Sequence, residues 1–393
     1  MLVAVLSSLE PAGDGATCPR AFLTVAGRTV IERQAEAALA LGCERVICLA
    51  SGIAPEILAA QRVTERAGRS FHAVRHVDAL RAQVVAADEL VIIADGILPD
   101  RDVLEDVIGS QRGVAAFPAE RGVAHGFERI NRDLAWAGTV RCRGAEMERL
   151  ADLPGDIEPL SALMRAALQS GSHVQRLSED LLADGRWPLI DNASKARTAG
   201  RRSVERRFVA ATWAAPCNAL VDRLIRARAD HLLSAKRSDA AMMAAGVLAS
   251  LVAIISAGAG YLAAGLALMT ICAALVRGWT RLNLLRDAAP AQSASAALIA
   301  FDSALVVTVV AHFGLSSWPT PLFPVLVMIG LARLAASISM DRIRAASGDR
   351  VALCAVLAFA AWQGVLGSAA QAIALLLLAA CLFAAKSLRL TRA

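Results

Sequence analysis

The sequence predicts two architectures in one chain: a doubly wound α/β domain over residues 1–191 and an α-helical membrane domain of about six transmembrane helices over residues 239–393. A basic, amphipathic helical segment at 192–238 joins them. Three observations carry this reading. Short apolar runs alternate with helix-periodic stretches in the first half. Six apolar stretches nearly free of charge follow one another in the second, and Lys and Arg gather at alternate connections between them. With 56% hydrophobic residues and a mean hydropathy of +0.51, the composition excludes an ordinary soluble enzyme.

In the first half, Leu2-Val-Ala-Val-Leu6 is a continuous apolar run of the kind that forms a buried parallel strand. Thr29 to Leu41 has helical spacing and stops at Gly42, Arg45 to Ala50 is a second strand, and Leu90 to Ala94 is a third that ends directly in Asp95-Gly96. Strands separated by helices imply a sheet whose ligands sit beyond the carboxyl ends of its strands. The loop Ser7 to Arg20 and the Asp95 turn both fall on that edge.

Beyond the joint, the expected spans are Ala240 to Ile255, Gly260 to Val276, Ser295 to Ala311, Pro321 to Ile338, Val351 to Leu366 and Ala369 to Ala385. Each approaches the length needed to cross a hydrocarbon core of roughly 30 Å. Lys236 and Arg237 precede the first; Arg277, Arg281 and Arg286 follow the second; Arg342, Arg344 and Arg350 follow the fourth; Lys386, Arg389 and Arg392 follow the sixth. The connections at 256–259, 312–320 and 367–368 carry no Lys or Arg. The expectation is therefore a multi-pass protein of the cytoplasmic (inner) membrane with both termini in the cytoplasm and membrane lipid as a partner. Buried helices of a soluble protein would need polar faces that these segments lack.

The net charge of +6 lies largely between Lys195 and Arg237. Two readings of that belt stand: a surface for anionic headgroups, and a solvated helix obeying the positive-inside rule. Its later part sets Leu220, Leu224, Ile225, His231, Leu232 and Leu233 along one helical face, as in a helix lying in the membrane interface. Eight Cys without C-x-x-C spacing read as small hydrophobes in a reducing compartment, not as disulfides or a zinc site. Leu2 to Leu6 is too short, and lacks the basic flank, for a cleavable signal peptide. His125 and His312 stand alone without ligand spacing, and no nucleic-acid partner is expected.

The stretch Leu23-Thr-Val-Ala-Gly-Arg-Thr-Val-Ile-Glu32, with Ala38 to Gly42 and Val46 to Leu49, resembles the opening of sugar- and polyol-phosphate nucleotidyltransferases. In that family a Gly-rich loop wraps the nucleoside triphosphate, a Pro-Lys pair neutralises phosphate, and an Asp after a later strand holds Mg²⁺. The resemblance implies nucleotide binding, by CTP or a CDP-linked substrate, at Gly13, Gly15, Arg20 and Asp95, with Asp95 as a metal ligand; Arg20 stands in the Lys place. Asp95 also reads as a turn residue closing a strand before Gly96. The loop departs from the pattern by placing Glu10 and Asp14 where a triphosphate needs N–H donors and positive charge. The family's second metal carboxylate follows a Trp by two residues; after Trp187 that place holds Leu189, and Asp191 lies beyond it.

Val221-Asp-Arg-Leu-Ile-Arg-Ala-Arg228, ahead of six spans, resembles the opening of CDP-alcohol phosphotransferases, the membrane enzymes that make phospholipid headgroups. A nucleotidyltransferase-like domain in front of that fold is the arrangement of bifunctional synthases of inositol-containing lipids. The family signature sets four Asp at the cytoplasmic ends of the second and third spans, where they bind divalent metal and activate the alcohol. Aligned on Arg286, the first two Asp positions are Gly278 and Arg281, and the following Gly is Leu282; aligned on Asp302, the last Asp is Val306. One carboxylate of the four remains, Asp302, which the resemblance implies as catalytic residue and ligand of Mg²⁺. A fixed cation at Arg281 opposes a dinuclear metal site, so impaired phosphoryl-group transfer is expected. Asp302 has two readings: a residual phosphate site with Arg281, Arg286, Arg342 and Arg344, or a structural ion pair with Arg281, Arg286 or Arg333. Two functions follow: an enzyme of phospholipid headgroup synthesis with eroded motifs, or an inactive partner of an active homologue. The resemblance also implies a homodimer or a heteromer with a related membrane enzyme.

Overall fold

The computed structural model describes residues 1–13, 18–109, 111–152, 158–207, 213–235, 237–286, 291–314, 322–337 and 341–390. The chain divides into two compact units, Met1–Ser203 and Val204–Ala393, so the division falls inside the segment expected to join two domains.

Seven strands build the sheet of the first unit: β1 (Leu2–Ser7), β2 (Arg45–Leu49), β3 (Ser70–Val74), β4 (Glu89–Ile93), β5 (Gly113–Pro118), β6 (Leu134–Arg143) and β7 (Val174–Arg176). Their order is β3-β2-β1-β4-β6-β5-β7. β3, β2, β1 and β4 run parallel; β6 runs antiparallel to both β4 and β5. The expected Rossmann-like α/β sheet is therefore present, and its order reverses at β1, where the chain winds outward to β3 and returns to the other side. The crevice between the ends of β1 and β4 is the switch point at which open α/β sheets bind ligands.

The apolar runs are continuous because both faces of the sheet are covered. Ala4, Leu6, Val46, Cys48, Val91 and Ile93 pack on one face with Ile31, Ala35, Ala38 and Ile57 of two helices. Val3, Val5, Ile47, Leu49, Leu90 and Ile92 pack on the other with Leu160, Leu163 and Ala167 of the helix Pro159–Gln169. The helix expected from Thr29 spans Val30–Ala40. Thr29 Oγ1 accepts from Glu32 N and the Glu32 carboxylate accepts from Thr29 N, which satisfies two otherwise unpaired amides. Its end is set by Gly42, whose φ of 87° favours glycine. β3 escapes the apolar pattern because it is an edge strand with no fully buried side chain.

In the second unit, four helices are long and apolar enough to cross a membrane: Ser238–Gly258, Leu262–Leu285, Ser293–Phe313 and Leu366–Ala384. Where the fourth and fifth spans were expected, Phe323–Ala336 has 14 residues and Arg350–Trp362 has 13. At about 1.5 Å per residue neither matches a core of roughly 30 Å. The residues expected to end the fourth span, Pro321 and Ile338, lie outside the described ones. Ala253, Ala257, Leu266, Met269, Phe301, Leu305, Met328 and Leu357 form the helix core, while Leu248, Leu251, Ile255, Leu375, Leu376 and Phe383 point outward. Large apolar side chains facing out from uncharged helices are suited to lipid, not water. Gly265 permits one close helix contact, since a Cβ there would lie 2.7 Å from Ala253 O.

Thr29→Ala should lower the unfolding free energy of the first unit by about 1 kcal/mol. Denaturant melting of the intact protein, followed by circular dichroism, would register this as a lower midpoint.

Candidate functional site

At the switch point, the turn after β4 and the loop after β1 meet on one carboxylate. Asp95 Oδ2 accepts from Ser7 Oγ, Leu9 N and Glu10 N, each at 2.9 Å. Successive backbone amides of this kind are what a phosphate-binding loop offers its ligand, and here an internal anion has taken them. Asp95 is 5% exposed, and its Oδ1 has no hydrogen-bond partner among the described residues. Burial, aided by the nearby charge of Glu10, pushes its pKa up from 3.8 to about 6 against the pull of the three donors.

Gly96 has a φ of 75°, and a Cβ on it would lie 2.6 Å from Ile190 O and 2.7 Å from Arg20 Cδ. The turn is therefore closed by glycine for lack of room. Arg20, the residue expected to neutralise phosphate, crosses this glycine and pairs with Glu10 at 2.5 Å. Gly13, with a φ of 83°, sits in the same loop, and Gly15 lies outside the described residues.

The segment after Trp187 forms the opposite lip. Trp187 is fully buried and donates its Nε1–H to Ala137 O at 2.8 Å, and Ile190 N donates to Gly96 O at 2.7 Å. Leu189 bridges Ile97 and lines the cleft beside Asp95. Asp191 pairs with Lys195 at 2.5 Å. The cleft has a volume of about 170 Å³ and is also lined by Phe127, Glu128, Trp136, Glu158 and Ser161. Glu128 accepts from Ser161 Oγ and from Arg165 at 2.9 Å. Glu158 caps the helix Pro159–Gln169 by accepting from Leu160 N and Ser161 N, and burial raises its pKa.

Magnesium fits this cleft poorly. Asp95 keeps one oxygen without a partner among the described residues, but Leu189 presents an aliphatic side chain to the cleft beside it, and Asp191 is held by the Lys195 ammonium. Among the described residues no three His, Cys, Asp or Glu side chains converge on a metal position.

In the second unit Asp302 is 3% exposed and accepts from Arg333 Nε at 2.7 Å and Arg350 Nη2 at 3.2 Å, both on Oδ2. Of its expected partners, Arg333 is present; Arg350, seen in the sequence only as a flanking charge, is the other. Arg281 faces a different carboxylate. With Arg277 it grips Asp222 of the helix Pro216–Ala227, each arginine making two hydrogen bonds of 2.8–3.2 Å. That helix buries Asn218, Asp222 and Ile225 and exposes Leu220 and Leu224. Asp349 Oδ2 accepts from Cys217 N and Asn218 N at 3.0 and 3.1 Å, and its Oδ1 caps the following helix through Ala352 N. Arg342 and Arg344 are exposed, and the side chain of Arg286 lies outside the described residues. The eight cysteines are free.

Sequence reasoning missed Glu128, Glu158, Asp222, Asp349 and Arg350. For Asp222 a signal existed: Asn218 and Asp222 are four residues apart and share one face of the helix. Glu128 and Glu158 lie 30 residues apart in irregular surroundings and carried no signal.

No family model and no curated protein matches the chain. Among solved structures, a UDP-glucose pyrophosphorylase complexed with UDP-glucose is 11% identical, covering 52% of this chain and 99% of its own, with a TM-score of 0.38. A UDP-glucose pyrophosphorylase from Acinetobacter baumanii is 14% identical, covering 52% and 93%, with a TM-score of 0.35. Likenesses at this level carry no argument about activity.

A carboxyl whose folded pKa lies above its unfolded value favours folding fully below the unfolded value and loses that contribution as pH rises through the folded one. Asp95 therefore burdens the fold above pH 6 by up to about 3 kcal/mol. With chelator present, Asp95→Asn should melt higher than wild type near pH 8, and the gap should close near pH 4. Asp302→Asn should act in the opposite sense, lowering detergent-solubilised stability by about 3 kcal/mol by leaving Arg333 and Arg350 without their anion. A normal melting temperature in that variant would remove the structural role from Asp302.

Proposed function

We propose that this protein belongs to phospholipid headgroup synthesis as a non-catalytic membrane partner of an active, related phosphotransferase. One observation carries the reading: in both units the carboxylate that metal chemistry would need is held by internal donors, Asp95 by a hydroxyl and two amides, Asp302 by two guanidiniums. Arg281 adds a fixed positive charge at a place where the resembled family sets a metal ligand, and a fixed cation repels divalent metal. On this reading the chain crosses the cytoplasmic membrane six times. Both termini lie in the cytoplasm, and the Lys- and Arg-rich ends of the spans, Arg342 and Arg344 included, meet anionic headgroups there.

A second reading keeps catalysis. It rests on the oxygens Asp95 Oδ1 and Asp302 Oδ1, both buried and without a hydrogen-bond partner among the described residues, each of which retains capacity for a ligand. Under it, CTP or a CDP-linked substrate and Mg²⁺ bind at Asp95 with Arg20, and Asp302 serves the transfer step.

Membranes containing the protein, given labelled CTP, polyol phosphates, CDP-diacylglycerol and Mg²⁺, should yield no labelled lipid above membranes lacking it. Affinity purification from native membranes should recover an intact CDP-alcohol phosphotransferase. Labelled lipid that disappears in Asp302→Asn at undiminished protein level would establish the second reading instead.

A further inference from the structure

We propose that the cleft beside Asp95 binds a small organic cation, a protonated amine or quaternary ammonium, in place of a nucleoside triphosphate. The inference uses side chains of the first unit alone and holds whether or not the second unit catalyses.

The charge of the cleft has the sign opposite to that a triphosphate requires. Glu10, Asp95, Glu128 and Glu158 line it; Arg20, the one basic residue among the described lining residues, is paired with Glu10, and Arg165 pairs with Glu128, which leaves the group net negative. The two loop amides that would greet a phosphate are bound to Asp95 Oδ2. What remains for a ligand is Asp95 Oδ1, which has no hydrogen-bond partner among the described residues and belongs to a side chain that is 5% exposed and lines the cleft. A buried carboxylate oxygen of this kind is best satisfied by a charged N–H donor or a close cation.

Two aromatic residues complete the wall. Phe127 and Trp136, 5% and 4% exposed, line the cleft with the carboxylates, and the negative faces of aromatic rings attract ammonium groups. Acidic and aromatic groups around a shared hollow suit an organic cation better than a bare metal ion, whose ligands would have to converge, and no such convergence is found among the described residues. Size agrees: about 170 Å³ admits a small amine but falls below the roughly 300 Å³ at which pockets for larger ligands begin.

The test uses the full-length protein in detergent, titrated with choline, ethanolamine and spermidine at constant ionic strength, with myo-inositol and with CTP plus Mg²⁺ for comparison. Isothermal calorimetry and melting temperature are the readouts. At least one amine should bind saturably and raise the melting temperature, with the tightest of the three reporting the cation's size, while inositol should not bind. Glu10→Gln and Glu128→Gln should each weaken amine binding by about tenfold, and Glu105→Gln, on an exposed helix face, should leave it unchanged. Should one cleft variant fail to fold, the other decides, and raising the ionic strength, which screens the cleft carboxylates, should weaken amine binding to the unmodified protein. The proposal is overturned if no amine binds, if binding is indifferent to these substitutions, or if CTP with Mg²⁺ binds and displaces the amine.

Discussion

The tie between Asp95 and the loop after β1 is the interaction on which the N-terminal cleft depends. One buried oxygen gathers a hydroxyl and two backbone amides from Ser7, Leu9 and Glu10, which draws the loop over the carboxyl end of the sheet. Arg20 then closes over Gly96 and meets Glu10, and Leu189 reaches the cleft because Ile190 hydrogen-bonds to the same glycine. A charge buried this deeply persists only with such partners, and the raised pKa of Asp95 records that they compensate burial incompletely.

The second unit solves a related problem with arginine. Asp302 stands among apolar helices, where an unpaired carboxylate is expensive, and two guanidiniums from separate helices converge on it. Asp222 and Asp349 bind the helix Pro216–Ala227 to the bundle, one through Arg277 and Arg281, the other through its first amides. This helix consequently buries Asn218 and Asp222 beside Ile225, while Leu220 and Leu224 face outward with Arg223 and Arg226. In an apolar surrounding, ion pairs and capped amides supply the specific inter-helix contacts that hydrophobic burial cannot distinguish from lipid.

Much of the fold was legible because the relevant signals are local. Continuous Val, Ile and Leu runs marked β1, β2 and β4; Thr29 with Glu32 marked a helix start and Gly42 its end; uncharged stretches marked the four helices long and apolar enough to cross a membrane. β3 was not legible, since an edge strand buries too little to leave a pattern, and neither was the length of the fourth and fifth apolar helices. Within the sites, Asp95 and Asp302 were legible as lone carboxylates in unusual settings. Their partners were not, because Arg350 is 48 residues from Asp302 and Ser7 is 88 from Asp95.

The sequence by itself determined the division into a sheet-bearing unit and an apolar helical unit, since periodicity and hydropathy are properties of neighbouring residues. Only the tertiary structure decided which charges meet: that Arg281 serves Asp222 and not Asp302, that Arg20 is claimed by Glu10, and that Glu128 and Glu158 face Asp95 across one cleft. Electrostatic pairing depends on distance in space, and chain folding brings those groups together from positions that share no local pattern.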